Sequence, residues 1–120
     1  MNLINLNIDN FESVINNTGI VLVDCWAAWC SACKDFKPIF EKTAANFPTH
    51  TFGMIDTMTE KDLVSLLKIE HIPTLLLYRD GIMLFKQPGY FSEDKLEDII
   101  KQAESLNMDL VRADLESQKS

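Results

Sequence analysis

Residues 20–38 read IVLVDCWAAWCSACKDFKP, and they contain a change from an apolar run to a helical pattern. Residues 20–27 are nearly continuously apolar, which predicts a central strand buried on both faces. A helix is predicted over about 31–46, where apolar or small residues recur at helical spacing: Phe36, Ile39, Phe40, Thr43, Ala44 and Phe47. Pro38 falls inside this helix and is expected to kink it, because proline lacks the backbone N–H.

Two cysteines lie at this junction, with an acid and two tryptophans close by. Cys30 falls where the strand gives way to the helix, at the end of an α/β sheet where sites tend to form. Unpaired N–H groups and the positive end of the helix dipole favour a thiolate there. Cys33, three residues on, is close enough for a disulfide. The pattern predicts an exposed, acidified nucleophile at Cys30 and a more protected resolving thiol at Cys33.

Other uses of the cysteine pair stay open at this point. The two cysteines could be two of the four ligands that tetrahedral zinc usually needs. The remaining candidate ligands are Cys25, His50 and His71, which do not form a second paired motif. A static disulfide is another use, although structural disulfides are rare in the cytosol and three cysteines do not suit a closed framework. Redox chemistry is the favoured interpretation, and no metal is expected.

Composition limits the function classes. The 120 residues suit one compact domain, and a hydrophobic content of 47% can supply a core. The net charge of −7 argues against non-specific nucleic-acid binding. The N-terminal residues lack the pattern of a signal peptide, and no apolar run approaches the roughly 20 residues that span a membrane. The expected location is therefore the cytoplasm, with no membrane partner.

Helical patterns precede and follow the central segment. Asp9 is expected to cap a helix over about 9–17, which Gly19 ends. Thr59 and Asp62 are expected to frame the start of another helix. The inward face of that second helix is predicted to consist of Leu63, Leu66 and Leu67.

Strand patterns occupy the rest of the domain. Residues 51–56 are predicted to form a short strand, while 74–78 and 82–86 flank the turn at residues 79–81 and indicate a β-hairpin. Ser92 is expected to cap a later helix with these residues inward: Leu96, Ile99, Ile100 and Ala103.

The order of elements predicts an α/β fold with a mixed central β-sheet flanked by helices on both faces. A strand–helix–strand unit comes first and an antiparallel hairpin later. Residues 1–106 are assigned to this domain. Residues 107–120 are assigned to a C-terminal extension, with a short helix over MDLVRADLE and a frayed tail ESQKS.

The segment VLVDCWAAWCSACK, followed by Pro38, IPT at 72–74 and Gly89, resembles the thioredoxin family over about residues 3–105. The resemblance implies the thioredoxin fold. It also implies that Cys30 is the nucleophile and Cys33 the resolving cysteine.

The same resemblance implies a surface on which substrate proteins dock. Its residues are Trp29, Ile72, Pro73 and Gly89. Pro73 is expected to follow a cis peptide bond and to present the backbone of Ile72 to a bound peptide.

Asp24 lies inside the apolar strand, where burial should raise its pKa. The resemblance implies that it accepts the proton of Cys33 during resolution, through water. Strand alternation puts Asp24 and Trp26 on one face of the sheet and Cys25 on the other. Cys25 is therefore interpreted as a buried apolar filler.

Three features depart from the family pattern. Ser31 and Ala32 stand between the cysteines where typical thioredoxins have Gly-Pro, which is expected to make the reduction potential less reducing, and the Ser31 hydroxyl could donate to the Cys30 thiolate. The strand TFGMID has no lysine near the buried acid, so proton transfer is expected to be tuned differently. His71 stands before Ile72, where it is interpreted as a surface residue that could also bond a substrate.

The expected function is a cytosolic thiol–disulfide oxidoreductase that reduces protein disulfides. It needs no bound cofactor, acts as a monomer, and receives electrons from an NADPH-dependent thioredoxin reductase, by analogy with the family. Two alternatives stay open: a more oxidising disulfide oxidase or isomerase, and a non-catalytic peptide-binding or chaperone module.

Overall fold

Within residues 2–16 and 19–119, which this computed structural model describes, the chain forms five strands and five helices. The strands are β1 (Leu3–Asn5), β2 (Ile20–Trp26), β3 (Thr51–Asp56), β4 (Thr74–Arg79) and β5 (Ile82–Pro88). The helices are α1 (Phe11–Ile15), α2 (Ser31–Asn46), α3 (Lys61–Leu67), α4 (Glu93–Ser105) and α5 (Met108–Lys119).

Strand β2 lies at the centre of one sheet, whose order is β1-β3-β2-β4-β5. Strands β1, β3 and β2 run parallel, whereas β4 is antiparallel to β2 and β5 is antiparallel to β4. Strand β2 is buried from Ile20 to Cys25, as its nearly continuous apolar run predicts. The predicted mixed sheet with a late hairpin is confirmed.

Helices cover both faces of this sheet, as predicted. Helices α2 and α4 pack on the face that carries Leu22, and their buried residues include Phe36 and Phe40 of α2 and Leu96 of α4. Helices α1 and α3 pack on the opposite face, where they contribute Phe11 and Leu63. The aromatic rings of α2 fix this helix, and with it the cysteine pair at its start, against the sheet.

Local signals placed several elements correctly. Helix α2 has the predicted bounds and contains Pro38, and the kink expected there stays a prediction. The Ser92 hydroxyl caps α4 by accepting the Lys95 N–H at 3.2 Å. Asp80 and Gly81 both adopt positive φ, 55° and 80°, which is the backbone that a tight turn between two antiparallel strands needs.

The predicted start of α1 was wrong. Asp9 does not cap the helix; the Asn7 side chain accepts the N–H groups of Asp9 and Asn10, and α1 begins at Phe11. The helix ends at Ile15, before the predicted end at residue 17, which itself lies outside the described residues.

Helix α3 and the C-terminus also differ from the prediction. The N-cap of α3 is Glu60 without a side-chain cap bond, and the Thr59 hydroxyl bonds Asp56 and Glu60 instead. Leu66, predicted to face inward, is exposed. Helix α5 continues to Lys119, so most of the predicted frayed tail is helical.

Candidate functional site

The cysteine pair sits where β2 passes into α2. Cys30 is the N-cap of α2, and its Sγ accepts the Cys33 N–H at 3.1 Å. The two Sγ atoms are bonded as a disulfide, and the Cα atoms are 5.2 Å apart. The relative exposure of Cys30 is 6% and that of Cys33 is 2%. Cys30 is thus the more accessible of the two residues, but in this oxidised state it is buried and not exposed as predicted.

The helix start favours a thiolate at Cys30. Helix α2 is 16 residues long, and its first turn carries no acidic side chain. The positive end of its dipole therefore faces Cys30 without a competing carboxylate. In this oxidised state the Cys30 Sγ is bonded by the Cys33 N–H and not by the exposed Ser31 hydroxyl. Ala32 packs against the cysteine pair.

The loop before β4 lies against the pair, as the resemblance implied. The Ile72–Pro73 peptide bond is cis, and Ile72 packs on the cluster that contains both cysteines. The Gly89 N–H donates to the Pro73 carbonyl at 2.8 Å. Gly89 has a φ of 127°, and a Cβ built on it would meet nothing within 4 Å, so open space lies over this residue. Cys30, Ile72, Pro73 and Gly89 are therefore neighbours in the fold.

Trp29 presents its ring at the same edge of the sheet. Its relative exposure is 68%, and its Nε1 donates to the Sδ of Met58 at 3.3 Å. Met58 is itself 53% exposed. It is held there because the N–H and hydroxyl of Thr57, just after β3, both donate to the Trp26 carbonyl at 2.9 Å.

Sequence reasoning missed Met58 as part of this surface. A signal for it existed: β2 and β3 are parallel neighbours, so the residues after their carboxyl ends meet at one edge. Tyr90, which is exposed beside Gly89, was missed as well.

Asp24 is the one fully buried acid among the described residues, with no exposed surface. Neither carboxylate oxygen has a hydrogen-bond partner among these residues. Burial raises the pKa of Asp24 to about 7, and the nearby charge of Lys37 partly opposes this rise. The predicted increase in the pKa is confirmed, and it makes the carboxyl group a proton acceptor and donor near neutral pH.

A cavity of about 210 Å³ lies between Asp24 and Cys33. Its lining residues are Asp24, Trp26, Ala27, Ala28, Cys33, Lys34, Lys37 and Met54. The indole N–H of Trp26, another lining residue, is likewise buried without a partner among the described residues. The space is large enough for water molecules, which can carry a proton between groups that do not touch.

The other singled-out residues lie outside this cavity. Cys25 faces the α1 and α3 side of the sheet, as strand alternation predicted, and burial raises the pKa of its thiol to about 12. His71 is exposed, and its carbonyl accepts the Thr74 hydroxyl. His50 pairs with Glu104 at 2.7 Å. Across residues 2–16 and 19–119, no three His, Cys, Asp or Glu side chains are grouped as metal ligands would be.

Comparisons with known proteins agree with this geometry. The thioredoxin family model matches residues 2–102. A Streptomyces coelicolor relative assigned the name thioredoxin 2 is 38% identical over 117 residues, which are 98% of this chain and 87% of the relative.

None of the helices in the described ranges is long and apolar enough to cross a membrane.

Solved structures show the same fold. A mutant thioredoxin from Halobacterium salinarum superposes with a TM-score of 0.80 at 26% identity, covering 88% of this chain and 93% of that one. The oxidised mitochondrial thioredoxin 3 of Saccharomyces cerevisiae gives a TM-score of 0.76 at 27% identity, covering 83% and 94%. The chain therefore belongs to the thioredoxin family, and its Cys30–Cys33 pair makes it a thiol–disulfide oxidoreductase.

Proposed function

We propose that this protein is a reductase of protein disulfides. The observation that carries the proposal is the arrangement of three groups: Cys30 at a helix N-terminus, Cys33 one turn inside, and the buried Asp24 on the same cavity as Cys33. An acidified nucleophile, a protected second thiol and a proton acceptor with a pKa of about 7 are what a two-step reduction requires.

In the first step the Cys30 thiolate attacks one sulfur of a substrate disulfide. A mixed disulfide forms, and the other substrate sulfur leaves as a thiolate. In the second step the Cys33 thiol gives its proton to the Asp24 carboxylate through the cavity. The Cys33 thiolate then attacks the Cys30 sulfur, which forms the Cys30–Cys33 disulfide and releases the second substrate thiolate. The substrate gains two electrons and the pair loses two.

Substrate proteins would dock on the surface formed by Trp29, Ile72, Pro73 and Gly89. The Ile72 backbone N–H and carbonyl make no hydrogen bond within the described part of the chain, so both can pair with an extended peptide. The open space above Gly89 leaves room for that peptide. Met58 extends the surface beside Trp29 with a flexible apolar side chain.

Turnover needs a source of electrons. We propose that a separate NADPH-dependent thioredoxin reductase reduces the Cys30–Cys33 disulfide, so that the protein carries electrons between that enzyme and its substrates. A reducing compartment, the cytoplasm, suits this direction of electron flow.

Variants of the three cysteines test the proposal, with insulin as the protein disulfide and dithiothreitol as the electron donor. Cys30→Ser should abolish reduction, and reduced Cys33→Ser, mixed with insulin after the dithiothreitol has been removed, should trap a mixed disulfide with the substrate. Cys25→Ala is the matched control and should keep full activity, because Cys25 lies on the other face of the sheet. Activity that survives both active-site changes would contradict a redox role.

The reduction potential separates a reductase from the alternatives. Equilibration in glutathione buffers followed by thiol counting should give a reduction potential closer to the roughly −270 mV of thioredoxin than to the values of isomerases and oxidases, with a shift to the less reducing side from Ser31 and Ala32. A value of about −180 to −120 mV would indicate disulfide donation or shuffling instead. A pair that forms no reversible disulfide would leave a peptide-binding role.

A further inference from the structure

The cavity between Asp24 and Cys33 is also lined by two lysines of α2, Lys34 and Lys37. Strand β3 supplies no cation here, because the register partner of Asp24 on that strand is Met54. On β4 the register partner is Leu75, which is also apolar. The positive charge that faces the buried acid therefore comes from the helix.

Helix geometry distinguishes the two lysines. Lys37 follows Cys33 by four residues, so both project from the same face of α2, one turn apart. Lys34 follows Cys33 by one residue and is rotated by roughly 100° around the helix axis. Lys37 forms no ion pair with Asp24 in the described part of the chain, so its charge acts on the carboxyl group without direct contact, and neither Asp24 oxygen is engaged by a hydrogen bond.

The other titratable groups around Asp24 are accounted for. Helix α2 contributes Cys33 and the two lysines, β2 contributes Cys25 on its opposite face, and the facing residues of β3 and β4 are apolar. The electrostatics agree with the geometry, because Lys37 is the charge that lowers the pKa of Asp24 against the effect of burial.

We propose that Lys37 is a positioning residue for the resolving step, whose charge sets the pH range over which Asp24 can accept the Cys33 proton. The proposal rests on the proposed function, because it assumes that Asp24 is that acceptor. The proton moves from Cys33 Sγ to an Asp24 carboxylate oxygen, and Lys37 keeps its own proton throughout. A positive charge across the cavity stabilises the carboxylate before transfer and so keeps more Asp24 ready at neutral pH.

A stopped-flow reaction of the reduced protein with Ellman's reagent isolates this step. The first thionitrobenzoate is released when Cys30 attacks, and the second when Cys33 attacks the mixed disulfide on Cys30. Lys37→Gln should slow the second phase at pH 7 by about twofold or more and approach the wild-type rate at pH 9. The size follows from the ionisation of Asp24, whose pKa is about 7. If loss of the Lys37 charge raises this pKa by about half a unit, the ionised fraction of Asp24 at pH 7 falls about twofold.

Two matched variants control for general effects. Lys34→Gln removes a lysine from the same helix and the same cavity, and it should leave the pH profile of the second phase unchanged. Lys37→Arg keeps the charge and should behave as wild type. A carboxyl ¹³C titration of Asp24 in the oxidised protein reads the same shift without turnover.

Each contrary result has a distinct meaning. The Lys37 proposal is overturned if Lys37→Gln has the wild-type profile, or if Lys34→Gln moves the profile by the same amount. Asp24→Asn separates this failure from that of the proposed function. If Asp24→Asn leaves the second phase with its wild-type pH dependence, Asp24 is not the acceptor, and both proposals about this step are wrong.

Discussion

Replacement of Asp24 by asparagine should stabilise the folded protein, and the gain should grow with pH. The carboxyl group is fully buried without a hydrogen-bond partner among the described residues. Burial raises its pKa from the ordinary 3.8 to about 7. Between these two values the unfolded chain has released the proton while the folded protein keeps it.

The direction and the size of this pH effect on the free energy of unfolding follow from proton linkage. Because the folded state binds this proton more tightly, the contribution of Asp24 to stability is most favourable below pH 3.8 and is lost as the pH rises to about 7. Each unit of difference in pKa corresponds to about 1.4 kcal/mol, so the full loss is about 4 kcal/mol. Between pH 5 and pH 8 the loss is about 2–3 kcal/mol.

Urea denaturation of the oxidised protein at pH 5 and pH 8 measures this quantity. Asparagine has a similar shape and no charge, so the stability of Asp24→Asn relative to wild type should increase by about 2–3 kcal/mol between the two pH values. Asp35→Asn, which removes an exposed acid on α2, is the matched control for the loss of a carboxyl group from the surface. Equal pH slopes for wild type and Asp24→Asn would refute the claim that this carboxyl group is buried and protonated near neutrality.

Three further predictions concern the surface and the third cysteine. Met58→Gln should raise the KM for insulin about two- to fivefold with little change in kcat, because it weakens an apolar contact beside Trp29; an unchanged KM in steady-state kinetics would exclude Met58 from docking. Gly89→Ala should lower the free energy of unfolding by about 1–3 kcal/mol, since its φ of 127° strains any other residue; chemical denaturation without a change would contradict this. Cys25 is buried and should therefore resist iodoacetamide at pH 8 in the native oxidised protein but react in urea. Mass spectrometry measures the labelling, and labelling of the native protein would mean that the Cys25 thiol is accessible.

Prediction from the sequence worked best where short-range physics decides the structure. The nearly continuous apolar run predicted β2, because a strand that is buried on both faces lacks the alternation of apolar and polar residues. The periodic aromatic residues predicted the bounds of α2. The turn residues Arg79, Asp80 and Gly81 predicted the hairpin, and the structure confirms it with positive φ at Asp80 and Gly81. Cys30 could be placed at the strand-to-helix junction for the same local reasons.

Local patterns were less reliable where a second partner competes. Asp9 was a reasonable cap, but the Asn7 side chain took the N–H groups at the start of α1. Leu66 fits a helical stripe, yet helix α3 is so short that Leu63 alone is buried in it. In both places the outcome depended on which contacts the neighbouring segments could offer.

The sequence by itself determined the cysteine pair, its place on a helix start, and the acid in the central strand. The tertiary structure alone decided that Lys37, four residues beyond Cys33, lines the cavity of Asp24, and that Met58 accepts the indole N–H of Trp29. The physical reason is the distance along the chain over which each effect acts. Periodicity and capping depend on residues a few positions apart, whereas the charge that faces a buried carboxylate depends on how a helix packs across a sheet.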